Sequence, residues 1–234
     1  MSFPGIIELS LRGKGPSRGF LFDPHRLAFP CWAETVESPA VLVTFDRHFD
    51  LVPPAAEVPV RPTAVEADTF ARTRLDPKNV DHVIAAMEAG FISHALVVAR
   101  AWPQGAHRSP TWVSRRGEEH RLVAAPTLER LLEEPAARAL LEAAGATLLD
   151  FDLDCFATPS DADPFTLVPW PRRVIREFLR PPGSESFWAR TLANCRALTI
   201  AREPNHCGGV IASNHLFEDL AHVVFEELLE TDLP

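Results

Sequence analysis

Two carboxylates and an imidazole follow a short apolar segment in the first quarter of the chain. Residues 41–45 (Val-Leu-Val-Thr-Phe) lead directly into Asp46, His48 and Asp50. In an extended segment the residues at i, i+2 and i+4 share one face, so these three side chains can converge on one point. Carboxylate and imidazole groups that converge in this way are typical ligands of a divalent metal ion.

A second apolar segment ends in the same pattern. Residues 146–149 (Ala-Thr-Leu-Leu) lead into Asp150, Asp152 and Asp154, which alternate with apolar residues. Because a buried carboxylate without a partner is costly, two such groups on separate strands predict a shared cation. Asp and His donors suit Mn²⁺, Zn²⁺ or Fe²⁺, and this many of them suit a pair of ions bridged by carboxylates. The competing interpretation is that these acids cap helices or form ion pairs with arginines.

Apolar residues recur along the chain with two spacings, one typical of strands and one typical of helices, and these elements must position the ligand groups. A period of two predicts strands at residues 6–9, 41–45, 94–99, 122–124, 147–151 and 197–201. Helical spacing predicts helices at about residues 79–89, 127–143, 172–179, 184–194 and 214–230. Strands that alternate with helices predict a three-layer α/β/α fold with a mainly parallel sheet. Reactive groups in such sheets gather beyond the carboxyl ends of the strands, where both aspartate groups would lie.

Composition limits the class of protein. The 234 residues, 46% of them hydrophobic, suffice for one well-buried core, and we predict a single catalytic domain over 1–234. The net charge of −9 argues against a nucleic-acid partner. The apolar runs are too short to cross a bilayer and the first residues lack the pattern of a secretory signal, so we expect no membrane partner and a cytoplasmic location. The 4 cysteines show no CxxC spacing and indicate neither a disulfide scaffold nor a zinc ribbon.

Both aspartate segments resemble the metal-binding motifs of the ureohydrolases, the family of arginase and agmatinase. Residues 46–50 (Asp-Arg-His-Phe-Asp) are similar to the family's Asp-Ala-His-x-Asp motif. Residues 150–154 (Asp-Phe-Asp-Leu-Asp) are similar to its Ser-x-Asp-x-Asp motif, with Asp150 in place of the serine. The resemblance implies a fold like that of the arginases and deacetylases, and a pair of Mn²⁺ ions in each chain.

The resemblance also implies which residues bind these ions. They are the residues at the family's metal-binding positions: Asp46 and Asp152 as bridges, Asp50 on the first ion, and His48 and Asp154 on the second. The family's remaining ligand is an upstream histidine in a Gly-Gly-Asp-His-Ser motif, which this chain lacks. His25 is the only histidine before Asp46, so it is the candidate for that position.

Other segments are most similar to a branch of the family that includes the peptide arginases. These segments are His25 followed by Trp32, and residues 199–206 (Thr-Ile-Ala-Arg-Glu-Pro-Asn-His). Enzymes of that branch convert arginine to ornithine within ribosomally made precursor peptides. The resemblance therefore implies an arginine-containing precursor peptide as substrate, with free arginine, agmatine or guanidinobutyrate as small guanidino alternatives.

Cleavage of a guanidinium group also requires a carboxylate that holds the cation and an acid that protonates the departing amine. Glu203 follows a predicted strand and resembles the family's guanidinium-binding glutamate; its alternative role is a surface ion pair. His82, near the start of a predicted helix, is the first candidate for the general acid, as the resemblance to arginases implies. His206 beside Glu203 is the second candidate, and His94 is a third, as proton donor or substrate contact.

Two other functions fit parts of this pattern. Deacetylases share the expected fold but keep one Asp-x-His segment and a later aspartate around a single zinc ion. This chain retains Asp50 and Asp152, the additional carboxylates that suit a second ion, which argues against that function. The other is a metal-stabilised protein that binds arginine-containing peptides without catalysis. No oligomeric state follows from the sequence.

Overall fold

The computed structural model describes residues 3–11, 16–101, 111–163 and 165–228, and a parallel sheet forms its centre. The strands are β1 (Ile6–Leu9), β2 (Arg18–Phe22), β3 (Ala40–Asp46), β4 (Ile92–Ala99), β5 (Thr111–Val113), β6 (Glu119–Ala125), β7 (Thr147–Asp152), β8 (Ala157–Pro159), β9 (Leu167–Pro169) and β10 (Cys195–Ala201). The sheet has 8 strands in the order β1-β2-β10-β7-β3-β4-β6-β5, and β8 pairs with β9 as a separate hairpin. All neighbours from β2 to β6 in this order are parallel, whereas β1 and β5 are antiparallel edges. The predicted mainly parallel sheet is confirmed.

Helices cover both faces of this sheet. They are α1 (Ala28–Thr35), α2 (Ala64–Thr73), α3 (His82–Ala89), α4 (Leu128–Leu132), α5 (Pro135–Ala143), α6 (Arg172–Leu179), α7 (Glu185–Ala193) and α8 (Val210–Ala221), which continues as a π-helix over His222–Leu228. Successive residues of β3 point to opposite faces: Leu42 packs with α1 to α3, whereas Val43 packs with α4 to α8. The three-layer α/β/α architecture is therefore confirmed. Within the described ranges, no helix is both long and apolar enough to cross a membrane.

Most of the predicted helices and strands are present, and two helices differ from their predicted bounds at a proline or a glycine. Helix α6 has the predicted bounds. The single helix predicted over 127–143 is divided into α4 and α5, because Pro135 lacks a backbone N–H and occupies the first turn of α5. Helix α8 begins earlier than predicted, directly after Gly209, and the end of the predicted helix lies outside the described residues. Strands β2, β5, β8 and β9 and helices α1 and α2 were not predicted.

Polar side chains collect at the carboxyl ends of three neighbouring strands, and we call this end of the sheet its carboxyl edge. Strands β10, β7 and β3 lie side by side, and their register aligns Thr199 with Asp150 and Asp150 with Thr44. Strand β3 ends at Asp46 and β7 ends at Asp152, so the two aspartate segments leave the sheet next to each other. The sheet order thus brings together groups that are about a hundred residues apart in sequence.

Candidate metal centre

The first group of potential metal ligands surrounds the imidazole of His25. A short 3₁₀ turn, His25–Leu27, follows β2 and places this side chain at the carboxyl edge of the sheet. His25 Nδ1 lies 3.5 Å from Asp46 Oδ2, 3.6 Å from Asp50 Oδ2 and 3.2 Å from Asp152 Oδ2. The atom is buried and makes no hydrogen bond. A buried imidazole nitrogen that faces three carboxylates without a hydrogen bond fits the donor set of a divalent cation.

The second group surrounds His48 and shares one carboxylate with the first. His48 Nδ1 lies 3.1 Å from Asp154 Oδ2 and 3.7 Å from Asp46 Oδ1. The two oxygens of Asp46 therefore face the two histidines, one each. In both groups, His25 with Asp46 and Asp152, and His48 with Asp46 and Asp154, the potential ligand atoms lie within 4.8 Å of one another. Two groups joined by one carboxylate are the arrangement that a pair of metal ions needs.

Asp150 has a different position from the other aspartates. Its Oδ2 lies 2.8 Å from His25 Nε2 and accepts a hydrogen bond of 2.8 Å from the Thr44 hydroxyl. Its Oδ1 accepts a hydrogen bond of 2.5 Å from the Thr199 hydroxyl. The carboxylate thus contacts the far side of the His25 ring and directs Nδ1 towards the other carboxylates. Carboxylates commonly orient metal-binding histidines in this way.

Carboxylates outnumber cationic groups in the site, and the pKa values reflect this imbalance. Burial, followed by the charge of Asp46, raises the pKa of Asp50 to about 7. Burial also raises the pKa of Asp152 well above its ordinary value, and the charge of Asp154 adds to this effect. The hydrogen bond with Asp154 raises the pKa of His48 to about 10. In the metal-free protein, protons therefore supply positive charge that divalent cations would otherwise supply.

We expect the free energy of unfolding of the metal-free protein to fall as the pH rises from about 6.5 to 7.5. The pKa of His48 is about 10 in the folded protein, so the folded state keeps a proton that the unfolded state releases above its lower pKa. Rising pH then favours unfolding. Urea denaturation in the presence of a chelator, repeated across this range, measures the slope.

The variant His48→Gln should reduce this slope, because its side chain does not titrate. Added Mn²⁺ should reduce it also, since a metal-binding imidazole is deprotonated. The range ends below the ordinary pKa of cysteine, so the buried thiols contribute little. An unchanged slope in His48→Gln would show that another group causes the pH dependence.

Glu203 lies beside the His25 group and is held by two donors. Its Oε1 accepts a hydrogen bond of 2.7 Å from the backbone N–H of His25 and another from Nδ2 of Asn79. Burial raises the pKa of Glu203. The residue follows β10 and has a left-handed backbone with φ 38°, as do Asp50 (φ 45°) and Asn79 (φ 62°). Such backbone strain, about 1–3 kcal/mol for each residue, is typical of functional sites.

A surface cleft gives access to this edge of the sheet. It has a volume of 390 Å³ and is lined by His48, Asp50, Pro77, Lys78, Asn79, Val80, Asp152, Asp154, Glu203 and His206. His206 is exposed, and its ring centre lies 6.3 Å from that of His48. The cleft therefore brings together residues of both ligand groups, Glu203 and the exposed His206.

The structure places His82 behind the ligands rather than in the cleft. The side chain is fully buried, its ring centre lies 4.2 Å from that of His25, and its Nδ1 lies 2.8 Å from the carbonyl oxygen of Asn79. Burial and the neighbouring His25 lower the pKa of His82 to about 3. His82 Nδ1 also lies 3.9 Å from Asp50 Oδ2, and His82, His25 and Asp50 form a further group of potential ligands. The structure thus places His82 against His25 and not among the residues that line the cleft, and its role as general acid stays a prediction.

His94 lies away from this site. It is near the amino end of β4, and the five residues to Ala99 at about 3.3 Å each place it roughly 17 Å from the carboxyl edge. Its Nδ1 accepts a hydrogen bond of 3.0 Å from the backbone N–H of Arg121, and its side chain lines a different pocket, together with Ser93 and His120. The predicted substrate contact of His94 is therefore corrected, because parallel strands carry only their carboxyl ends to the metal-binding edge.

Sequence reasoning missed the polar residues that support the ligands. Asn79 was considered only as the start of a helix, and neither Thr44 nor Thr199 was considered as a support for the ligands. A local signal existed for Asn79, since asparagine is the residue after glycine that best tolerates a left-handed backbone. The threonines carry no such signal, because each is one polar residue in an apolar strand.

Comparison of this chain with known proteins found similarity at the level of structure only. No family model and no curated protein sequence matches this chain. Among solved structures, the chain is similar to the arginase from Bacillus subtilis, with a TM-score of 0.44 and 15% sequence identity. The similar region covers 85% of this chain and 65% of the arginase chain.

Proposed function

We propose that this protein is a binuclear metal hydrolase that cleaves the guanidino group of arginine, within a peptide, to give ornithine and urea. The observation that carries the proposal is the pair of His/Asp groups that share Asp46 at the carboxyl edge of the sheet. The cleft beside them contains Glu203, a buried carboxylate that can bind a cation. The motif resemblance of residues 46–50 and 150–154 supports the same reaction.

Six residues would hold the ions. The first ion would be bound by His25, Asp46, Asp50 and Asp152, and the second by His48, Asp46, Asp152 and Asp154. Bound divalent cations would lower the pKa of water and so supply a nucleophile at neutral pH. Imidazole and carboxylate donors without cysteine suit Mn²⁺, which we propose as the metal.

Glu203 would bind the guanidinium group of the substrate. Among the described residues, the hydrogen bonds to this side chain go to Oε1, which leaves Oε2 available to accept from a guanidinium N–H. Charge-assisted hydrogen bonds of this kind are about twice as strong as neutral ones and fix the orientation of the planar cation. The side chain would therefore hold the guanidinium carbon towards the ligand groups.

His206 is the better-placed candidate to protonate the departing amine. It lines the cleft, is exposed to solvent and lies next to the second ligand group, whereas His82 is enclosed. An exposed imidazole can exchange its proton with water between turnovers. We therefore assign the general acid to His206.

The proposed location is the cytoplasm. All 4 cysteines are free and buried, as is usual for a protein kept in a reducing compartment. The acidic net charge of −9 is compatible with a cationic substrate and unfavourable for nucleic acid.

The proposal is tested by metal content and urea release from the same preparation. Protein reloaded with Mn²⁺ after chelation should hold about two ions per chain, as a binuclear site requires, and should release urea from a peptide with an internal arginine. The same peptide with lysine in place of arginine is the matched control, since it keeps the charge but lacks the guanidino carbon. Free arginine, agmatine and guanidinobutyrate, assayed in parallel, distinguish a peptide from a small substrate.

Other outcomes would favour other functions. One zinc ion per chain without urea would indicate a deacetylase-like amidohydrolase. Binding of the arginine peptide without turnover would indicate a metal-stabilised peptide-binding protein. Absence of any bound metal would contradict the ligand assignment on which the proposal depends.

A further inference from the structure

Asn79 connects three parts of the candidate site that are distant in sequence. Its Nδ2 donates a hydrogen bond to Glu203 Oε1. Its Oδ1 accepts a hydrogen bond of 2.9 Å from Nη1 of Arg26, which directly follows the potential ligand His25. Its carbonyl oxygen lies 2.8 Å from Nδ1 of His82 at the start of α3. One residue thus contacts the Glu203 loop, the His25 turn and the helix behind them.

The backbone around Asn79 is arranged for these contacts. Asn79 has φ 62°, and its N–H donates a hydrogen bond of 2.9 Å to the carbonyl oxygen of Asp76, which closes a turn. Arg26 also donates to the carbonyl oxygen of Pro77 at 3.2 Å, so the turn and the His25 segment are joined twice. The side chain of Asn79 is buried. A buried amide whose donor and acceptor are both used restricts the orientation of each partner.

We propose that Asn79 is a positioning residue that holds Glu203 in the orientation needed to bind the guanidinium group. This inference rests on the proposed function. The left-handed backbone at Glu203, with φ 38°, does not determine by itself where the carboxylate points. The two donors to Oε1, the backbone N–H of His25 and Nδ2 of Asn79, fix that oxygen of a side chain that lines the cleft, and they leave Oε2 without a hydrogen bond from the described residues.

The variant Asn79→Asp tests this role with little change of shape. Aspartate tolerates the left-handed backbone and keeps the acceptor for Arg26, but it replaces the donor to Glu203 with a carboxylate oxygen. A hydrogen bond to a charged group contributes about 1.5–3 kcal/mol, so we expect KM for the arginine peptide to rise about tenfold to a hundredfold. The kcat value and the metal content should change much less, because the ligand groups are retained.

A double-mutant cycle separates positioning from a general structural effect. If Asn79 acts through Glu203, adding Asn79→Asp to Glu203→Gln should change KM by less than about twofold beyond Glu203→Gln alone. Arg61→Gly is the matched control, since Arg61 also has a left-handed backbone, with φ 47°, but lies outside the cleft. This control should keep the KM of the unmodified protein.

Each outcome supports or overturns the inference. A large rise in KM in Asn79→Asp that disappears in the Glu203→Gln background supports it. The positioning role alone is overturned if the unmodified protein releases urea and KM is unchanged in Asn79→Asp. It is also overturned if the unmodified protein releases urea and the KM effects of the two substitutions multiply in the double variant. Unmodified, metal-loaded protein that releases no urea overturns the proposed function, and this inference with it.

Discussion

The variant Asp46→Asn is expected to lose both metal ions and to reduce urea release by more than about a hundredfold. Substitution of a residue that only hydrogen-bonds to a metal ligand already costs about 10–100-fold in metal affinity or activity. Asp46 should matter more, because its two carboxylate oxygens face both histidines directly. An amide keeps the shape of the carboxylate but removes the charge that both ions require. Metal content by mass spectrometry and urea release by the Mn²⁺-loaded protein measure the two effects together.

The control for Asp46→Asn is the same substitution at an exposed aspartate. Asp161 is exposed and lies outside the cleft, so Asp161→Asn should keep the metal content and turnover of the unmodified protein. Circular dichroism of both variants would show whether the fold is retained. Retention of two ions per chain in folded Asp46→Asn would rule out Asp46 as the shared ligand.

The variant His48→Ala is expected to lose one ion per chain and to retain the other. His48 belongs to the second ligand group, whereas the contacts of His25 with Asp46, Asp50 and Asp152 do not involve it. Turnover should nevertheless fall by at least about a hundredfold, because a binuclear mechanism needs both ions in place. Titration of the chelated protein with Mn²⁺ should give about half the stoichiometry found for the unmodified protein.

An exposed histidine provides the control for this variant. His215 lies on α8, its side chain is 69% exposed, and it contacts Glu218 within its own helix. His215→Ala should leave stoichiometry and turnover unchanged. Loss of both ions in His48→Ala would mean that the two groups bind cooperatively, and full activity would exclude His48 as a ligand.

The alternation of residues along the strands was readable from the sequence because it is a local property. Asp46, His48 and Asp50 are spaced two apart, and so are Asp150, Asp152 and Asp154, so both sets could be placed at strand ends. The bounds of α6 were also readable, since Val174, Ile175, Phe178 and Leu179 have helical spacing and the helix ends with the last of them. His25 and Glu203 followed from a resemblance of motifs, and the fold brings His25 next to Asp46 and Asp152, and Glu203 next to His25.

Elements without a clear apolar period were not predicted from the sequence. Helix α1 contains Pro30, which is tolerated because it lies in the first turn. Residues 28–32 of this helix are all buried, so they show no division into an apolar and a polar face. Helix α2 begins with a capping box between Thr63 and Glu66, a signal that was present but not used. The edge strand β5 has 3 residues, too few to show alternation.

Tertiary structure alone decided which polar residues meet at the site. Asp150 contacts His25 only because β7 lies next to β10, which in turn lies next to β2, and Asn79 reaches Glu203 across 124 positions of sequence. The direction of β4 carried His94 to the opposite edge. Side-chain alternation is set by the local backbone, whereas these contacts depend on strand order and on the packing of loops, which no short segment specifies.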